Sequence, residues 1–500
     1  MEYFINCNAS SLAPYTPALD LQRAAHLYRR LGFSASIQTI NQATGQSANS
    51  LVNNLIAEAR NMPPLPAPSW ANWNESNYPA DDELAGEIRN AQHREWGTTY
   101  TDSLLNNNLR DRLSFFWSNH LVTEFEVYNC TAFLYEYINC LQRNAIGNFK
   151  TMVSEIGRTS AMLYYLDGAY SNGNNPNENF ARELYELFTM GEGIGYTEQD
   201  IIETAKALTG YVERGTIGCT KVTFDPTKFN TDTKTIFGRT GNWGYEDVID
   251  ILFEERASEI GYFICKKLYE FFVHPDTLAP EAQPIINGLS DTFVANNFEL
   301  APVLSQLFKS QHFFDEEAIG VIIKSPFDVF LNLIKETGFT YNDSTLRKVV
   351  ESSRLLGQEL FNPFDVNGWQ RNRTSINTHF MIGRWLSSEM FLEEFWNNNR
   401  EQFRTFAIPA VGAANSGTSN PRTVVGAIVN KLLPKGLLTE QDFNNALDVF
   451  MIEDVPENYY GSDFIPGGEG YWMLDQSEEP PLQVYLLLLH LVRQPEFQLK

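Results

Sequence analysis

The sequence predicts a mainly α-helical fold, a large compact array of many helices with one small β-hairpin element near residues 211–240. Two observations indicate this class. Apolar residues recur at intervals of three and four over most of the chain, as on the buried side of a helix. Short runs of β-branched and aromatic residues between turn residues are convincing only in 211–240. We expect a single unit over residues 1–500, without an internal repeat.

The N-terminal region predicts three helices, at about 21–31, 36–43 and 48–60, with His26 in a structural role on the first. The prolines of 61–70 remove backbone donors and hold an extended chain, which we interpret as a surface strap. Five subregions follow: N-terminal helices 1–60, a proline-rich strap 61–81, central helices 82–210, the β insertion 211–240 and C-terminal helices 241–500.

The charge balance limits the partners of the protein. The chain has 62 acidic and 37 basic side chains, a net charge of −25. Nucleic acids and anionic membrane surfaces would be repelled, so neither is an expected partner. The apolar run 484–492 is too short to span a bilayer, and the first residues lack the positive and apolar regions of a signal peptide. A mature exported form with its leader removed would look the same.

The central stretch 175–210 carries two complete helix signatures. Asn175 suits an N-cap, Pro176 the first helical position, and Glu178 stands three residues after the cap. This helix should end at Gly191, which can adopt the left-handed conformation.

A second helix should follow at once. Thr197 is its predicted cap, Asp200 its third residue and Gly210 its end, so the two helices form an αα-hairpin. Beyond the β insertion, the pattern predicts a helix at about 245–272 and a glycine-rich turn at 461–470.

The ionisable residues of the central helix suggest a polar pocket. Glu178, Arg182 and Glu186 stand four apart, so Arg182 can pair with either carboxylate and Glu183 needs another donor. We expect the loop 361–369 to cap this pocket. The candidate donors to Glu183 are His120, Asn179 and Lys324. The candidate binding residues are Asn177, Glu178, Asn179, Arg182, Lys324, Asn367 and Trp369.

His120 and Glu124 are also four apart and could face one cleft as a pair of metal ligands. Two ligands do not make a metal site, and no third ligand is identifiable. We therefore favour a hydrogen-bonded structural histidine and predict neither a metal nor a cofactor.

The central stretch resembles a bacterial family known as domain of unknown function 1800. The family phrases NENFARELxELFTxG, YTExD and ALTG correspond here to 177–191, 196–200 and 207–210, and similar phrases occur at 109–120 and 357–369. The resemblance implies an α-helical bacterial protein, often exported, whose activity is not established. It therefore supplies no catalytic assignment.

The chain departs from the family pattern in the β insertion. Where the family has a His-Asp pair, this chain has Phe229-Asn230. The departure argues against a metal centre that uses that histidine.

The five cysteines include no Cys-x-x-Cys pair, so a structural zinc site is not expected. Cys130 and Cys140 could pair in an oxidising compartment, although we favour free buried thiols.

Two functions of different class remain open. The first is a non-catalytic envelope or extracellular protein that binds a carbohydrate or protein partner, or assembles, through a polar central cleft. We favour it because no nucleophile or complete metal set is evident. The second is a hydrolase or lyase acting on extracellular carbohydrate, with Glu183, Glu186 and His120 as acid–base candidates and Trp369 stacking on a sugar ring. The resemblance favours export, and a cytoplasmic location stays open.

Overall fold

The computed structural model describes residues 11–212, 218–451 and 472–500. The protein is 62% helical, which confirms the predicted class. The first ten residues and the predicted turn at 461–470 lie outside the described residues.

The N-terminal helices form where the sequence predicts them. A side-chain oxygen caps each one, since Asp20, Ser36 and Ser47 each accept from a backbone N–H three residues ahead. The proline-rich segment that follows lacks α-helix as far as Asp81. The helices are α1 Leu21–Leu31, α2 Ile37–Ala43 and α3 Ala48–Asn61. His26 is buried on α1 and hydrogen-bonds the carbonyl of Phe313, which fits the predicted structural role.

The central region is helical up to the β insertion. Its helices are α4 Asp82–Asn106, α5 Asn108–Ser118, α6 Phe125–Tyr128, α7 Thr131–Asn144, α8 Phe149–Ile156, α9 Ser160–Tyr165, α10 Asn179–Glu183 and α11 Glu198–Ala207. A π-helical segment, Leu184–Thr189, continues α10.

The β insertion holds two antiparallel two-stranded sheets rather than one hairpin. Strands β1 Tyr211–Val212 and β2 Thr223–Phe224 form the first, and β3 Lys234–Ile236 and β4 Arg239–Gly241 form the second. The second is a tight hairpin whose two turn residues, 237 and 238, both have positive φ, as the twist of such a hairpin requires. Residues 213–217 of the insertion lie outside the described residues.

The C-terminal region is again helical, and the predicted helix 245–272 is divided in two at Arg256. The helices are α12 Tyr245–Glu255, α13 Ala257–Phe272, α14 Ala282–Ala295, α15 Leu300–Phe308, α16 Pro326–Thr337, α17 Asp343–Leu355, α18 Thr378–Asn398, α19 Glu401–Val411, α20 Pro421–Leu432, α21 Glu440–Phe450 and α22 Pro480–Leu491. One contiguous apolar cluster joins buried residues from Leu19 to Phe497. The single unit over 1–500 stays a prediction.

A disulfide ties the central helices to the β insertion. It joins Cys130 to Cys219, so the suggested pairing of Cys130 with Cys140 is wrong, and so is the preference for a free thiol at Cys130. Cys140 is a buried free thiol, and burial raises its pKa to about 12. Spacing in the sequence could not identify the partner, because Cys219 is 89 residues away.

Candidate functional site

The central helix begins later than the sequence predicts. Asn175 is not its N-cap, because a tight turn pairs the backbone of Asn175 with that of Asn172 in both directions. Helix α10 starts at Asn179, whose N–H donates to the side-chain oxygen of Asn177 at 2.8 Å. The predicted stop is confirmed, since Gly191 has a φ of +101° and follows the C-cap residue Met190 of the helical segment.

The π-helical segment has a wider turn than an α-helix. The N–H of Met190 donates to the carbonyl of Tyr185, five residues back, at 2.9 Å. The hydroxyl of Thr189 donates to the carbonyl of Leu184, also five residues back, at 2.6 Å. The carbonyl of Phe188 lies 3.0 Å from Nε2 of His120. No signal in the apolar spacing distinguishes this wide turn from an α-helix.

The predicted charge ladder is present. Arg182 lies 3.5 Å from Glu178 and 3.4 Å from Glu186, and its closest partner is Glu198 of α11, at 2.5 Å. The Arg182 side chain is 34% exposed, so water screens these pairs and each contributes little stability. Because Glu198 belongs to α11, the network links α10 to α11.

The predicted cap of the second helix is confirmed, since Thr197 and Asp200 form a capping box.

Glu183 is half-buried, and none of its three predicted donors bonds to it. Burial raises the pKa of Glu183, and the charge of Glu186 adds to this effect. His120 bonds to a backbone carbonyl instead, and Asn179 donates to Asp167 at 3.4 Å. Among the described residues, Glu183 has no ion pair within 4.0 Å.

Lys324 lies in the core instead of beside Glu183. Its side chain is fully buried, with Nζ 4.1 Å from the centre of the Phe497 ring and no hydrogen-bond partner among the described atoms. Burial lowers the pKa of Lys324 to about 8. Its backbone holds the C-terminal segment, since its N–H donates to the carbonyl of Gln498 at 2.7 Å.

A cleft of about 1010 Å³ brings together other predicted residues. It is lined by the candidates His120, Asn367 and Trp369, and by Leu187, which follows the candidate Glu186 in sequence. Its remaining walls come from helix α13 and residues 274–276 after it, residues 320–323, the loop 365–375 and Leu499. This cleft is not lined by the other candidates, so the structure does not bring them together with Asn367 and Trp369 there, and their role in binding stays a prediction: Asn177, Glu178, Asn179, Arg182, Lys324, Glu183 and Glu186.

Trp369 contributes to the wall of the cleft but offers no open ring face. The indole is only 5% exposed and stacks on Phe115, with ring centres 5.2 Å apart. Its ring N–H donates to the carbonyl of Glu359 at 2.9 Å, and its backbone N–H donates to Oδ1 of Asn119 at 2.5 Å. A sugar therefore cannot stack on Trp369 in the predicted way.

The loop that carries Trp369 is fixed by close approach to α5. Gly368 has a φ of +83°, and a Cβ there would lie 2.2 Å from Oδ1 of Asn119. Only glycine fits both the backbone conformation and the space.

His120 is buried, and its ring is hydrogen-bonded to a backbone carbonyl, as expected of a histidine with a structural role. It follows the end of α5 at Ser118, so helical spacing does not align it with Glu124. Burial, and then the nearby charge of Lys267, lowers the pKa of His120 to about 3, which keeps the ring neutral at ordinary pH. Among the described residues, no group of three or more His, Cys, Asp or Glu side chains could hold a metal ion.

The inner end of the cleft contains residues that the sequence did not single out. Arg371 and Glu270 line both the cleft and a smaller cavity behind it. That cavity ends at a buried triad, in which Asp328 binds Arg112 at 2.8 Å and Lys500 at 2.6 Å. These two cations hold the pKa of Asp328 well below its usual value despite burial. Spacing gave no signal, because the triad joins residues more than 170 apart in sequence.

The fold and the cleft thus define a mainly α-helical protein with a large cleft beside a π-helical segment. The chain belongs to the family described as protein of unknown function (DUF1800), whose profile matches residues 26–499, as the resemblance predicts. Neither a curated protein nor a solved structure matches the chain. None of the described helices has the length and apolar character needed to cross a membrane.

Proposed function

We propose that this protein is an exported, non-catalytic binding or assembly protein of the bacterial envelope or extracellular space. Its carbohydrate or protein partner enters the cleft lined by His120 and Asn367. The observation that supports this most is the cleft itself, whose volume of about 1010 Å³ suits a ligand of several rings. The oligomeric state stays open.

The disulfide supports the exported location. Disulfides persist in oxidising compartments and are rare in the reducing cytosol. The bond between Cys130 and Cys219 is buried, with both residues at most 1% exposed, so it serves to join parts of the fold.

The separation of the acid–base candidates favours binding over catalysis. His120 lines the cleft, whereas Glu183 and Glu186 do not. A general acid and a general base must both reach the same substrate, so residues in different places cannot cooperate. His120 is also neutral and already bonds to Phe188.

A hydrolase or lyase acting on extracellular carbohydrate is the second candidate, and one observation favours it. Glu183 is half-buried with a raised pKa, the state that suits a carboxyl group acting as a general acid. Burial raises the pKa of Tyr165, and the charges of Glu124, Asp365 and Glu183 raise it further. Glu183 therefore has other carboxylates in its neighbourhood.

A glycan and peptide array on the full chain, followed by a turnover assay on each bound compound, tests the proposal. We expect binding without product release, lost when Asn367→Trp fills the cleft and kept in Glu183→Gln. If reducing ends are released and Glu183→Gln abolishes the release, the protein is a carbohydrate-cleaving enzyme and the proposal of a non-catalytic binding protein is wrong. If no compound binds and cleft variants change nothing, the proposed function fails.

A further inference from the structure

Two cationic side chains line the cleft without a counter-ion in contact. Among the described residues, neither Arg371 nor Lys267 makes a side-chain hydrogen bond or an ion pair within 4.0 Å. Both residues are half-buried and line the cleft. Their N–H donors are therefore not used by acceptors in the part of the chain that the structure describes.

Aromatic rings orient these cations but leave the donors free. The guanidinium carbon of Arg371 lies 5.7 Å from the centre of the Phe116 ring and 5.6 Å from that of Phe271. Nζ of Lys267 lies 5.3 Å from the ring centre of Phe263. A cation–π contact uses the face of the ring and consumes no N–H donor. The rings thus restrict the side chains before any ligand arrives.

The charge of this region is opposite to that of the chain. The cleft is lined by three cations, Lys267, Arg371 and Arg373, against two anions, Glu270 and Asp276. The local balance of +1 occurs in a chain of net charge −25. Burial lowers the pKa of Lys267, and repulsion by the charge of Arg371, which lines the same cleft, lowers it further.

We propose that the inner end of the cleft is an oxyanion receptor, which binds a carboxylate or phosphate group of a larger ligand. Arg371 donates two parallel N–H bonds to the oxyanion, and Lys267 supplies the second positive charge. Glu270 balances the charge of only one of these two cations. The positive charge that is left favours an anionic ligand over a neutral one. This inference rests on the proposed binding function and specifies the chemical class of its ligand.

Titration calorimetry on the full chain tests the receptor with three probes. Trigalacturonate carries carboxylates, inorganic phosphate carries only the alternative oxyanion, and maltotriose is a neutral sugar of matched size. We expect at least one anion to bind, more weakly at higher salt, and maltotriose not to bind up to about 10 mM. Which anion binds identifies the group that the receptor takes.

The variants Arg371→Gln and Lys267→Gln should each weaken anion binding by roughly 10-fold to 100-fold, since a hydrogen bond to a charged group is removed. Arg347→Gln is the control. Arg347 is an exposed arginine that lines other cavities, and its substitution removes one positive charge, as the two cleft variants do. If Arg371→Gln does not fold, Lys267→Gln decides. Anion binding unaffected by these variants, or no anion binding at about 10 mM, overturns the receptor. Maltotriose binding in that case leaves the proposed function standing.

Discussion

Reduction of the Cys130–Cys219 bond should remove a large part of the stability of the fold. The bond closes a loop of chain with a sequence separation of 89 residues. Chain entropy alone gives such a cross-link about 4.6 kcal/mol, because the reduced unfolded chain regains the freedom that the loop removes. Typical domains are stable by only about 5–15 kcal/mol, so we expect the reduced protein to unfold at a clearly lower urea concentration.

Both sulfurs are buried, so the bond must be reduced in denaturant, and the protein then refolded with reductant present. The two forms differ only in the cross-link, so the difference between their unfolding free energies, each obtained from the urea midpoint and slope, measures its contribution. Cys140→Ala is the control, because it truncates a buried cysteine and leaves the bond intact. Equal unfolding free energies for oxidised and reduced protein, measured by circular dichroism, would refute the entropic reasoning.

Two further predictions concern buried charge and helix capping. Lys324→Met should stabilise the protein at pH 7, because the lysine costs free energy when it is charged beside Phe497. Its folded pKa of about 8 lies below the usual 10.5, so wild-type stability should rise with pH between these values more steeply than that of the variant. Parallel pH profiles of unfolding free energy would contradict this. Thr197→Ala should lower the free energy of unfolding by about 1 kcal/mol, because it breaks the capping box with Asp200. Asn175→Ala should lower it much less, since Asn175 caps no helix, and equal losses in thermal unfolding would contradict the cap assignment.

Local features of the fold were predictable from the sequence. Thr197 with Asp200, Gly191 and the breaks between the first three helices all depend on neighbours a few residues away, and the structure confirms them. Asn175 failed because a turn with Asn172 competes for the same backbone groups, and a cap signature does not reveal such competition.

The candidate site was predicted only in part, because it is assembled from distant parts of the chain. The ladder at Arg182 follows from local spacing, because its partners Glu178 and Glu186 are each four residues away. The cations at Arg371 and Lys267 carry no motif, since an arginine in a loop and a lysine on a helix are usually just solvated. Trp369 was misjudged because an aromatic residue in a polar loop gives no sign of which face is covered.

The π-helical segment takes up one extra residue within a continuous helix. Its hydrogen bonds reach five residues back, whereas those of an α-helix reach four, so the segment contains one residue more than an α-helical path between the same ends. Deletion of a single residue from 184–189 would therefore let ordinary α-helical bonds form with little rotation of the flanking residues. Deletion of a residue outside the segment would instead turn the helix that follows by about 100°, and the contact of Arg182 with Glu198 and the bond of Phe188 to His120 could not both persist. The wide turn is thus a place in this helix where a change of one residue in length is compatible with both contacts.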